Sequence, residues 1–250
     1  MTYDSITVMQ SSPHVGAEIG NVDLTKPLSN REVTEIRDAI NAHGVVFFRD
    51  QVLDPESHER FVRCFGEPHV HAGGKSTAST AVPGYPALRK QYFDENSARI
   101  SGETWHSDQS CAEIPPMYSV LYQEIIPPNG GGNTMFLSAA KAYEALSPGM
   151  KAYLEGKTAT HNANKAFAAK LTKDNKETHL IAEHPMVVVH PESGRKVLFV
   201  NRQFTVAIRG MDENEGRSLL ETLFRQAEIP EYQYRHRWTP DTLVFWDNRS

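Results

Sequence analysis

Residues 185–200, "PMVVVHPESGRKVLFV", carry the first decision about the fold. Two apolar runs, 186–189 and 197–200, flank Pro-Glu-Ser-Gly, a combination that closes a tight turn between antiparallel strands. Working outward, "YQYRHRW" (232–238) and "TLVFW" (242–246), joined by Thr-Pro-Asp, predict a final hairpin of the same kind. "VGAEIGNVDL" (15–24) reads as a strand entry, "VVFF" (45–48) as a buried strand, and "MYSVLYQEI" (117–125) and "TMFLS" (134–138) as two more.

Helices are fewer and better marked. Ser29 with Glu32 makes a capping box ahead of Val33, Ile36 and Ile40, which predicts a helix over about 30–42 ended by Gly44. Asp54 followed by Pro55 starts another, with Phe61, Val62 and Phe65 on its apolar face. Ser138 and Ser147-Pro148 open two short ones, and 213–227 is amphipathic, with Leu219, Leu220, Leu223 and Phe224 on one side. Residues 66–104, rich in Gly, Pro, Ser, Thr and Ala, read as a long functional loop or lid. Many short antiparallel strands with peripheral helices point to a mainly β sandwich or jelly roll, not a parallel doubly wound sheet.

With 250 residues, no repeat and no low-complexity linker, a single domain spanning 1–250 is expected. A net charge of -5 argues against nucleic acid or an anionic membrane as partner. The longest apolar runs are far too short to span a bilayer, and "MTYDSITVMQ" lacks the features of a signal peptide. Two cysteines outside any CxxC pair suit a reduced, cytoplasmic protein.

The chemistry-bearing candidate is "ETWHSDQSC" (103–111), where His106 and Asp108 stand one residue apart. In an extended segment they project to one face and supply an imidazole and a carboxylate, two corners of the facial triad of non-haem Fe(II) oxygenases. A hydrogen-bonded His–Asp pair explains the same spacing without metal. Eleven histidines among 31 acidic residues give about one His-x-carboxylate by chance, so the motif alone decides nothing. The other match, His190-Pro-Glu192, sits on the predicted 185–200 turn and reads as turn chemistry. Cys111 reads as a small buried hydrophobe, and His161, His179, His184 and His236 as structural histidines.

"TWHSDQSC", "PPNGGGNTMFLSAAKAYEALSPGMK", "EHPMVVVHPESGRKVLFVN" and "RHRWTPDTLVFWDNRS" occur in this order, and together they resemble the TauD/TfdA family of Fe(II)- and 2-oxoglutarate-dependent dioxygenases, from about Pro13 to Ser250. The resemblance implies a double-stranded β-helix, cupin-like, with Fe(II), 2-oxoglutarate and O2 as cofactor and cosubstrates and a small acidic molecule as substrate. It implies iron ligation by His106 and Asp108, a 2-oxoglutarate carboxylate held by Thr134 in "GGNT", and a substrate pocket at His71 and Phe204. Relatives of this kind are commonly dimers or tetramers, so a homo-oligomer is an open expectation.

Two departures bear on the substrate and on the metal site. Where taurine dioxygenase has a tyrosine three residues past its substrate histidine and an asparagine four before its iron histidine, this chain has Gly74 and Gly102, which disfavours taurine. The family's second iron histidine and its 2-oxoglutarate arginine follow the "WDNR" block, so both are expected beyond Ser250; Arg249 falls too early to be that arginine. The rival readings are a non-catalytic β-barrel binding protein or pseudoenzyme without a complete iron site, and a cupin-like metal hydrolase or isomerase.

Overall fold

The structure, a computed structural model, describes residues 2–69, 79–97, 102–164 and 180–250. Its spine is a five-stranded sheet in the order β1 (Thr7–Gln10), β2 (Ala17–Gly20), β3 (Val45–Phe48), β14 (Thr242–Asp247), β6 (Tyr118–Gln123). All its neighbours are antiparallel except β2 and β3, and helix α1 (Asn30–His43) makes the crossover that a parallel pair requires. α1 starts as expected: Ser29 accepts from Glu32 N–H while the Glu32 carboxylate accepts from Ser29 N–H. It ends at Gly44, whose φ of 71° lets the chain turn directly into β3.

The two central strands are buried on both faces, which is why "VVFF" and "TLVFW" lack a polar side. Alternation divides them: Val46, Phe48, Leu243 and Phe245 join Ile36 and Ile40 of α1 and Phe61 of α2 (Pro55–Arg63) in one core. Val45, Phe47 and Val244 point the other way, onto Trp238 with Phe136, Tyr234 and Trp246. Behind this second layer lie three further strand groups. β13 (Gln233–His236) pairs with β7 (Thr134–Leu137), β8 (Thr158–Asn162) lies between β12 (Thr205–Ile208) and β9 (Ile181–Pro185), and β10 (Val187–Val189) pairs with β11 (Lys196–Leu198). The third core joins α3 (Ala139–Glu144), α4 (Pro148–Leu154) and α5 (Glu213–Ala227) to these strands through Leu154, Met186, Leu198, Leu220 and Leu223.

The protein is thus mainly β with peripheral helices, and the 185–200 hairpin forms as read. Two expectations differ. The 232–246 segment is no hairpin: β13 pairs with β7, while β14 inserts between β3 and β6. Thr-Pro-Asp therefore carries the chain between two sheets, with Asp241 at φ 56° and its carboxylate accepting from Tyr122 OH at 2.8 Å. The 66–104 stretch is not all loop, since β4 (Ser79–Val82) and β5 (Tyr85–Gln91) form a ribbon around Pro83-Gly84, where Gly84 adopts φ 83°. No helix among the described residues is long and apolar enough to cross a membrane.

Candidate metal centre

His106 and Asp108 meet without belonging to a strand. The 103–108 segment is tied to its neighbour by Gln203 N–H donating to Trp105 O at 3.2 Å, and the chain then turns through Gln109 at φ 46°. Just ahead of that turn His106 Nε2 lies 3.3 Å from Asp108 Oδ1, both side chains partly open to a cleft. The other ring nitrogen, Nδ1, lies 2.7 Å from Thr104 O, and a carbonyl only accepts, so Nδ1 carries the proton. In the neutral imidazole the lone pair of Nε2 then faces a carboxylate oxygen. Two acceptors at this distance repel unless a cation or proton lies between them, so the donor set suits a divalent cation that takes nitrogen and oxygen ligands. Burial opposes protonation of this imidazole, but the hydrogen bond and charge of Asp108 outweigh it and raise its pKa.

Asp108 is held from two sides. Ser119, on β6, donates to Asp108 Oδ2 at 2.5 Å, and Asp108 N–H donates to Asn248 Oδ1 at 3.2 Å. Asn248 follows β14 and accepts at its backbone oxygen from Ser107 Oγ at 2.8 Å. The end of the "WDNR" block is thereby packed against the His106–Asp108 turn. Among the described residues no group of three or more His, Cys, Asp or Glu side chains is placed to hold a metal ion.

Asp247 and Arg249, on either side of Asn248, anchor this corner from beneath. Asp247 is buried and accepts from His190 Nε2 at 2.9 Å and from Arg249 Nη2 at 2.6 Å. His190 Nδ1 accepts from the backbone N–H groups of Glu192 and Ser193, which fixes the tautomer that donates to Asp247. Arg249 reaches on to Glu192, as does Tyr118 OH. The turn residue His190 is therefore a buried member of a charged network, a role its place between Val189 and Pro191 concealed.

Thr134 begins β7 and lines the same cleft, where Trp238 Nε1–H donates to its Oγ1 at 3.0 Å. Phe204 lines the cleft too and is buried with Cys111 and Ala163, which bears out the apolar reading of Cys111. His71 and Gly74 lie outside the described residues. Gly102 adopts φ 82°, and a Cβ there would stand 3.5 Å from His106 Cε1. Two of the histidines read as structural are fully buried. His161 lies 3.0 Å from Ser110 Oγ, whereas His236, beside Phe47 and Trp238, leaves Nε2 without a partner. Ser119, Asn248 and Trp238 were not candidates in the sequence; polar Asp247-Asn248 closing an apolar strand was the one signal available.

Residues 7–250 match the family described as Taurine catabolism dioxygenase TauD, TfdA family. The chain is 32% identical to the alpha-ketoglutarate-dependent 2,4-dichlorophenoxyacetate dioxygenase of Cupriavidus pinatubonensis, over 98% of this chain and 90% of that protein. It is 30% identical to the alpha-ketoglutarate-dependent sulfate ester dioxygenase of Pseudomonas putida, over 94% and 79% of the two chains. Among solved structures, a taurine dioxygenase from Burkholderia xenovorans superposes with a TM-score of 0.83 and 37% identity, covering 99% of this chain and 81% of that one.

Proposed function

The chain belongs to the TauD, TfdA dioxygenase family, and from that premise we propose that it is an Fe(II)- and 2-oxoglutarate-dependent dioxygenase hydroxylating a small organic acid. The observation that carries this reading is the opposition of His106 Nε2 and Asp108 Oδ1 at 3.3 Å, with Nδ1 committed to a carbonyl. These two atoms would hold Fe(II), and a histidine beyond Ser250 would be the third protein ligand. In this reading the strands close as one domain, a double-stranded β-helix with the metal at its mouth.

When bound, Fe(II) with 2-oxoglutarate supplies the O2 chemistry that turns the cosubstrate into succinate and CO2 and hydroxylates the substrate. The chain's own residues bind and orient. Thr134 Oγ1 already accepts from Trp238, so its proton is available to a carboxylate oxygen of 2-oxoglutarate. Phe204 supplies an apolar wall that orders the substrate and keeps water from the reacting carbon. His71 would meet the substrate's acidic group.

Sulfonates, sulfate esters, aryloxyalkanoates and amino-acid-like acids are the substrate classes, and the bare backbone at Gly102, beside His106, weighs against taurine. The test is Fe(II)-dependent conversion of 2-oxoglutarate to succinate across such a panel. The full natural chain should couple succinate to oxidation of one class, and Asp108→Ala should abolish turnover. Absence of turnover with every class, or an active Asp108→Ala, overturns the proposal.

A further inference from the structure

The hydrogen bonds around Asp108 form a closed ring whose polarity has a single solution. Asn248 Oδ1 lies 3.2 Å from Asp108 N and 3.2 Å from Trp246 Nε1, and both of those groups only donate. The amide oxygen must therefore occupy that side, which turns Nδ2 to Ser119 Oγ at 2.9 Å. Nδ2 only donates, so Ser119 accepts from it and has one proton left to give. That proton goes to Asp108 Oδ2, 2.5 Å away. The ring returns to Asp108 through its own backbone N–H.

From this we infer that Ser119 and Asn248 are positioning residues for metal binding: Asn248 Nδ2 orients the Ser119 hydroxyl, which occupies Asp108 Oδ2 and leaves Oδ1 toward His106 Nε2, so that Asp108 binds through one defined oxygen. The inference rests on the reading of His106 and Asp108 as metal ligands. A carboxylate with both oxygens loose rotates about its last bond and must be ordered when the cation arrives, whereas here the Ser119 hydroxyl, itself oriented by Asn248 Nδ2, orders it beforehand. Two paired strands share the task. Ser119 stands on β6 and Asn248 follows β14, and their register brings Ser119 opposite Trp246. Asn248 N–H also donates to Met117 O at 2.9 Å, which locks the corner to β6 by its backbone.

The test is anaerobic calorimetric titration of Mn(II), a redox-inert stand-in, into the full natural chain and its variants, with the thermal midpoint of the metal-free protein measured alongside. Ser119→Ala should weaken Mn(II) binding by about 10- to 100-fold at a nearly unchanged metal-free midpoint, and Ser119→Thr, which keeps the hydroxyl, should restore most of it. If Ser119→Ala does not fold, Ser119→Cys, with its weak S–H donor, carries the same comparison. Mn(II) affinity within about twofold of the parent in Ser119→Ala, alongside lost binding in Asp108→Ala, overturns the inference and leaves the ligand assignment standing. Parent-like affinity in Asp108→Ala removes the ligand assignment itself, and the inference with it.

Discussion

Trp238 donates its indole N–H to Thr134 Oγ1 at 3.0 Å, and so determines what the threonine can offer to the cleft. An indole cannot accept in the ring plane, so the hydroxyl accepts from it and is free to donate. This suits an anionic ligand and disfavours a cationic one. Trp238→Phe keeps an aromatic ring against Phe47 and His236 but removes the N–H. Its expected effect is a two- to tenfold rise in KM for 2-oxoglutarate, about 0.5–1.5 kcal/mol for one neutral hydrogen bond. Thr134→Val should raise KM further, and Trp238→Phe should add nothing on that background. Additive effects in the double variant would separate the two residues.

Asp247 is the hinge of the corner beneath the candidate metal site. Burial pushes its pKa up, but the Arg249 and His190 hydrogen bonds outweigh this and hold it below the ordinary carboxylate value. Asp247→Ala leaves the buried His190 N–H without its acceptor and Arg249 with Glu192 as its remaining carboxylate partner, so it should cost about 1–3 kcal/mol of stability, read as a lowered denaturant midpoint. His190→Ala leaves Asp247 paired with Arg249 and should cost less. Equal losses in the two variants would mean that Arg249 contributes nothing.

The parts of the fold that were legible in the sequence are those whose causes are local. Ser29 with Glu32, Asp54 with Pro55, and Ser138 and Ser147 cap their own helices, and the capping bonds span three residues. Strand partners are not local. β14 reads as half of a hairpin because a turn precedes it, yet its neighbours β3 and β6 lie more than one hundred residues away, and alternation records which face is apolar but not which strand sits alongside. The site divides in the same way. His106 and Asp108 were visible because a single residue separates them, whereas Asn248 reaches Asp108 across 140 positions and Trp238 reaches Thr134 across 104. Such partners are single donors and acceptors with no spacing rule, and only the folded backbone brings them together.

Acid should expose a different dependency. Glu35 on α1 accepts from the backbone N–H groups of Asp4, Ser5 and Ile6, from Ser5 Oγ and from Arg31 Nε. Desolvation raises its pKa, but these bonds prevail and bring it from 4.5 down to about 2. A carboxylate with a depressed folded pKa contributes stability that is full above the unfolded value and is lost as pH falls toward the folded one. The window is therefore about pH 4.5 down to 2. Glu35→Gln should lower stability at neutral pH and flatten the loss across that window, measured as urea midpoints from pH 6 to 2. Parallel curves for parent and variant would remove Glu35 as the N-terminal clamp.

Gly102 joins backbone conformation to specificity. At φ 82° the chain is in the region that favours glycine, while a Cβ would meet His106 Cε1 at 3.5 Å, an ordinary contact. Conformation, not space, is thus the constraint. Asparagine is the side-chain-bearing residue that enters this region most readily, and a β-branched residue enters it least. Gly102→Val should lower stability by about 1–3 kcal/mol and Gly102→Asn by clearly less, as read from urea midpoints. Because Gly102 lines the cleft, the asparagine amide would stand beside His106 and narrow the substrate's approach. The rank order of kcat/KM across sulfonates, sulfate esters and aryloxyalkanoates should change in Gly102→Asn. An unchanged order would show that substrate does not pass this point of the wall, and specificity would then have to be sought on the Phe204 side.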